Sequence, residues 1–130
     1  GVAELLETPG WVSGADKEKL LRRATVFVLP SYYEAMPMSL LEAMAHGLPC
    51  VAGRVGGIPD VLADGQEGLL LPPGNPAAWA DALNRLLGDP GLAKRLGEDA
   101  RSRVVRQFSA EVGLASLGRV YDRLCPQYAA

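Results

Sequence analysis

Thr25-Val-Phe-Val-Leu-Pro-Ser-Tyr-Tyr-Glu34-Ala-Met-Pro37-Met-Ser-Leu-Leu-Glu42-Ala-Met-Ala-His46-Gly-Leu-Pro49-Cys-Val-Ala52 is the stretch that decides the fold. Its first five residues are a continuous apolar run rich in β-formers, closed by Pro30. Such a run predicts a strand covered on both faces, as in a parallel sheet. Pro37 then opens a helix at its first position, and Gly47 with Pro49 closes it. On that helix, about 37–46, Leu40, Leu41, Met44 and Ala45 share the face expected to pack on the sheet. Ser39, Glu42 and His46 share the opposite stripe. Cys50-Val-Ala52 reads as a second strand, so the stretch spells strand, crossover helix, strand.

The same alternation extends outward in both directions. Asp16 to Ala24 has a helical pattern upstream. Downstream, Gly53 to Gly57 is a glycine-rich turn, Ile58 to Leu62 a short helix, and Gly68 to Leu71 a third strand stopped by Pro72-Pro73-Gly74. Helices are expected at about 76–88, 90–106 and 109–124, with Asn75 and Ser109 as caps. The fold class is therefore α/β, a Rossmann-like parallel sheet with crossover helices and extra helices at the end. Trp79 and Leu83 read as core or interface residues. The opening Gly1-Val-Ala-Glu-Leu-Leu6 reads as the tail of a helix, and the chain as a piece of a longer one.

Composition narrows the function classes. The 130 residues form an ordinary globular mixture, 48% hydrophobic and 22% charged, with a formal net charge of −2. That length supports one domain with a real core. No basic block is present, which gives no support to nucleic-acid binding. Cys50 and Cys125 form no metal or redox motif and read as two free thiols in a reducing compartment. No apolar run approaches the ~20 residues that span a bilayer, and no signal-peptide pattern is visible.

Ligands of open α/β sheets bind outside the carboxyl ends of the strands. Glu34 follows one such end, and Glu42 stands one turn into the next helix. Either alone would be an ordinary solvated residue. Together they bracket a helix start whose Met38, Ser39 and Leu40 N–H groups lack intrahelical partners, which suits an anion such as phosphate. An ionised Glu only accepts hydrogen bonds, and a sugar diol offers two donors. A sugar ring carrying phosphate fits that pattern. His46 more simply caps carbonyls or lies solvated than catalyses. Tyr32 and Tyr33 either line the pocket or cover the strand end. The glycine spacing of Gly53-Arg-Val-Gly-Gly57 is wrong for a dinucleotide fingerprint. That segment is either a tight turn or a ligand wall.

These residues resemble the C-terminal nucleotide-sugar-binding domain of retaining glycosyltransferases of family 4 (group 1), with the GT-B architecture. The resemblance runs through Gly10-Trp-Val-Ser13, Val26-Phe-Val-Leu-Pro-Ser31, the Glu34–Glu42 core, Gly47-Leu-Pro49, Gly56-Gly-Ile-Pro-Asp60 and Gly68-Leu-Leu-Leu-Pro-Pro-Gly74. It implies that residues 1–130 are part of a donor-binding domain, with 109–130 a helix crossing back towards an acceptor domain outside this chain. Glu34 would contact the transferred sugar near its anomeric carbon, as the catalytic residue. The Met36 N–H would hold the same sugar, the Ser39 and Leu40 N–H groups the diphosphate, and Glu42 the ribose diol. The Gly10-Trp11-Val12 turn would border the base.

The resemblance implies no metal and no cofactor, since the nucleoside-diphosphate sugar is a substrate. UDP and GDP are the expected nucleotides. The implied partners are that donor, a glycan or lipid-linked acceptor, and an N-terminal domain. It implies a cytoplasmic location with peripheral membrane contact for the intact protein, and a role in cell-envelope polysaccharide. The family commonly carries Glu-Gly-Phe-Gly where this chain has Glu34-Ala-Met-Pro37. Pro37 has no N–H to donate, so one bond to the sugar is lost or replaced. The Arg and Lys that neutralise the diphosphate are expected upstream of Gly1. A phosphorylase or sugar-nucleotide epimerase of the same architecture, and a non-catalytic binding or scaffold module, are the rival readings.

Overall fold

A computed structural model describes residues 1–125. Three short parallel strands, β1 (Phe27–Leu29), β2 (Cys50–Gly53) and β3 (Gly68–Leu71), lie in the order β1-β2-β3. Val28 stands beside Val51 in the first pairing, and Val51 beside Leu69 in the second. Helix α2 (Met38–Ala45) makes the first crossover, and the single turn α3 (Ile58–Val61) lies in the second. α1 (Gly14–Arg23) precedes the sheet, and α4 (Pro76–Gly88), α5 (Pro90–Gln107) and α6 (Ala110–Leu124) follow it.

Successive strand residues point to opposite faces, and the core divides accordingly. Cys50, Ala52 and Leu70 pack with Leu40, Ala43 and Met44 of α2, Ile58 and Val61 of α3, and Ala100 of α5. Val51 and Leu69 pack on the other face with Ala82 and Leu86 of α4 and Leu96 of α5. Helices thus cover both faces of β2, which is buried throughout. α5 reaches both clusters because it lies tight against the end of α2. A Cβ on Gly97 would stand 2.1 Å from the Gly47 carbonyl oxygen, an approach only glycine permits.

The caps form as expected. Asn75 accepts from the Ala78 N–H and Ser109 from the Val112 N–H. Four details differ from expectation. The first strand begins at Phe27 rather than Thr25 and is not covered on both faces, for Val28 is 38% exposed. β1 is an edge strand, and beyond Val28 lies an open cavity of about 390 Å³ bordered by Pro30, Tyr32, Trp79 and Leu83. Pro37 is the residue before α2 rather than its first. Its ψ of 102° is extended, while its carbonyl accepts the first helical bonds. On α2, Ala43 is buried and Ala45 exposed, because α5 covers the flank that bears Ala43. The opening segment is one 3-10 turn, Val2–Leu5.

The span expected to cross back, 109–130, is α6 through Leu124; residues 126–130 lie outside the described residues. α6 buries no residue, and Leu114, Leu117, Tyr121 and Leu124 stand exposed along it. No described helix is long and apolar enough to cross a membrane.

Both cysteines are free thiols, as expected. Burial pushes the Cys50 thiol up to about 12, and its S–H donates to the Leu48 carbonyl. Thiolate is the reactive form. Titration with a disulfide reagent at pH 8 should therefore modify Cys125 quickly and Cys50 only after denaturation. Two fast thiols in the native protein would contradict the packing of β2.

Candidate functional site

The carboxyl ends of the three strands open into loops 30–37, 54–57 and 72–75. Glu34 stands in the first loop, partly buried, and Oε1 accepts a 2.8 Å bond from Ser31 Oγ. A serine three residues back thus holds the carboxylate and leaves Oε2 without a protein donor among the described residues. The loop itself is clamped from β2. The Gly57 N–H donates to the Glu34 carbonyl at 2.9 Å. A Cβ on Gly56 would lie 1.8 Å from the Glu34 oxygen, and one on Gly57 would lie 1.9 Å from the Ala35 oxygen. The two glycines therefore serve close backbone approach, and the surface they support is the Glu34 loop.

Pro37 sets the start of α2 and has no side-chain donor or acceptor to cap it. Its carbonyl takes the Leu40 N–H at 3.1 Å and the Leu41 N–H at 3.3 Å. Leu40 is thus corrected as a free donor, since a tight first turn engages its N–H. The Met38 and Ser39 N–H groups have no protein partner among the described residues. Two aligned donors at the positive end of a helix attract an anion. Met36 and Tyr33 are exposed, and Tyr32 borders the cavity beside Val28 with its ring near Gly74.

Glu42 faces away from the sheet, as expected, but it does not face open solvent alone. Lys17 of α1 places Nζ 2.6 Å from Oε1. One turn further along α2, His46 Nε2 lies 3.0 Å from Glu18 Oε2. Hydrogen bonding from Arg22 holds the Glu18 carboxyl below the usual carboxylate range, and His46 adds to the effect. Two adjacent residues of α1 thus meet the polar stripe of α2, and His46 ties the two helices. The Gly10-Trp11-Val12 turn leads into α1; Gly10 has φ +75°, and Trp11 is 94% exposed, clear of the packed core.

The structure thus gathers Glu34, Met36, Ser39 and Glu42 on and before one helix start, with Gly10 to Val12 on the approach to its neighbour. Sequence reading missed Ser31 and Lys17. Ser31 lay within local reach, three residues before Glu34 in the same loop. Lys17 carried none, because 25 residues separate it from Glu42.

The model for the family "Glycosyl transferases group 1" matches residues 1–103. The D-inositol 3-phosphate glycosyltransferase of Streptomyces bingchenggensis is 44% identical over 100 residues, which is 77% of this chain and 22% of that protein. The sucrose-phosphate synthase structure from Thermosynechococcus elongatus superposes with a TM-score of 0.79 at 38% identity, over 88% of this chain and 30% of that one. The S. aureus TarM structure in complex with fondaparinux, alpha-GlcNAc-glycerol and UDP gives 0.75 at 27% identity, over 84% of this chain and 22% of that one. The chain thus spans less than a third of each of these proteins. The match over residues 1–103, which take in the helix start and both acids, leads to one conclusion: the chain belongs to the group 1 glycosyl transferases.

Proposed function

We propose that this chain is the donor-binding part of a retaining, family 4 glycosyltransferase. The enzyme moves a hexosyl unit from a nucleoside-diphosphate sugar, with UDP or GDP as the nucleotide, to a glycan or lipid-linked acceptor. The observation that carries the reading is the start of α2. Free Met38 and Ser39 N–H groups lie between a Ser31-held Glu34 and a Glu42 with one unclaimed oxygen. The UDP in the TarM complex supports UDP first.

In this reading the diphosphate lies on the Met38 and Ser39 donors, which favour the charge that grows as the sugar leaves. Glu34 Oε2 and the Met36 N–H hold the hexose, and Glu42 Oε2 accepts from the ribose diol. The base lies beside the Gly10-Trp11-Val12 turn. The acceptor hydroxyl attacks the anomeric carbon on the face the phosphate is leaving. The new C–O bond forms as the old one breaks, and the hydroxyl proton passes to the departing phosphate oxygen. That geometry keeps the anomeric configuration and assigns Glu34 no covalent role. The reading includes no metal and no cofactor. A second domain of the intact protein brings the acceptor, with the enzyme in the cytoplasm and in peripheral contact with a membrane.

The test is direct binding to the full-length protein. UDP-glucose and GDP-mannose, titrated separately by calorimetry, should divide into one ligand and one non-ligand. Glu42→Ala should weaken the ligand roughly ten- to hundredfold, the worth of one charge-assisted bond to a hydroxyl. Unchanged affinity removes the ribose assignment, and a product anomer inverted by NMR removes the retaining one.

A further inference from the structure

A carboxylate one turn from an anion-binding helix start poses an electrostatic problem. The Met38 and Ser39 donors attract a diphosphate, while an ionised Glu42 repels it. Lys17 answers the problem within this chain. Its ammonium lies 2.6 Å from Glu42 Oε1, and each side chain keeps over a third of its surface exposed. The contact joins two helices, so it holds the carboxylate from outside its own element. A charge-assisted bond engages Oε1 and leaves Oε2 as the free acceptor.

We propose that Lys17 is a positioning residue of the donor site. It orients Glu42 Oε2 toward the nucleotide ribose and offsets the Glu42 charge beside the diphosphate. The inference rests on the donor-site reading and deepens it. Lys17 acts through Glu42 and bonds to no part of the sugar.

A merely structural Lys17 would tether α1, which buries no residue of its own. Removing a half-exposed ion pair changes fold stability little, so ligand affinity is the informative readout. The experiment is a double-mutant cycle in the full-length protein, read as UDP and GDP affinity by calorimetry. Working at about 0.15 M salt damps attraction between distant exposed charges. Lys17→Met should weaken the bound nucleotide about tenfold, and Lys17→Arg should restore most of that loss. In the Glu42→Gln background, Lys17→Met should cost less than about threefold, because the residue it positions is gone. Equal losses in both backgrounds, no loss in either, or an arginine that rescues nothing would overturn the inference and leave the donor site standing. A wild-type protein that binds neither nucleotide would overturn the donor-site reading itself.

Discussion

Glu34→Gln in the full-length protein is expected to lower kcat for sugar transfer about 10²–10³-fold, the usual effect of removing one preorganised electrostatic partner of a transition state. Glutamine keeps the size of the side chain, and its carbonyl oxygen can still accept the Ser31 hydroxyl. The loop therefore has no reason to move. What is lost is the negative charge at the oxygen that Ser31 leaves open. In the proposed transfer, positive charge grows at the anomeric carbon as the phosphate departs, and the neutral amide would meet it less well than a carboxylate. The donor KM should rise by far less than kcat falls, because only the hexose contact changes and the proposed diphosphate and ribose contacts do not involve Glu34. A kcat within threefold of wild type, at an unchanged melting temperature, would remove Glu34 from the chemistry. A raised KM with normal kcat would instead make it a binding residue only.

How much of this was legible before the fold was known depends on the reach of each signal. β3 was placed to the residue, because glycine opens its apolar run and Pro72-Pro73 stops it. α4 and α6 were bounded by Asn75 and Ser109, whose side chains bond to N–H groups three residues on. Those are local signals. Two of the errors involve neighbours. A run such as Thr25 to Leu29 says nothing about how fully helices cover each face, and on the α4 side Val28 stays 38% exposed beside a cavity. A helix of eight residues has an apolar face but no label for the flank a partner will cover. Ala43 and Ala45 were exchanged for that reason.

The site divides along the same line. The two acids and the helix start were readable from spacing alone. The hold of Ser31 on Glu34 was within local reach. The contact of Lys17 with Glu42 needed the path of α1, and the service of Gly56 and Gly57 needed the packing of one loop beneath another. The glycines allowed two readings until their neighbours were known. The adjacent backbone then settled them as supports of the Glu34 loop.

That support makes Gly56→Ala the most damaging small change near the site. Gly56 has φ +51°, where an L side chain is strained, and its Cβ would fall 1.8 Å from the Glu34 carbonyl oxygen. The obstacle is backbone, so no rotamer change relieves it. Either the Gly53 to Gly57 turn withdraws and gives up the Gly57 bond to that carbonyl, or the Glu34 loop is pushed outward. The strain contributes about 1–2 kcal/mol and the overpacking about 1–3 kcal/mol. A loss of about 2–5 kcal/mol in urea unfolding is therefore expected. Gly65→Ala is the matched control. Gly65 has φ +72° with nothing within 4 Å of its Cβ, so it carries the strain without the collision. It should lose only about 1–2 kcal/mol and keep its transfer rate. Gly56→Ala, assayed well below its melting temperature, should also lose most of its kcat, because the displaced loop carries the Glu34 carboxylate. Equal destabilisation in the two variants, or a Gly56→Ala enzyme with normal turnover, would mean that the glycine pair does not hold the Glu34 loop in place.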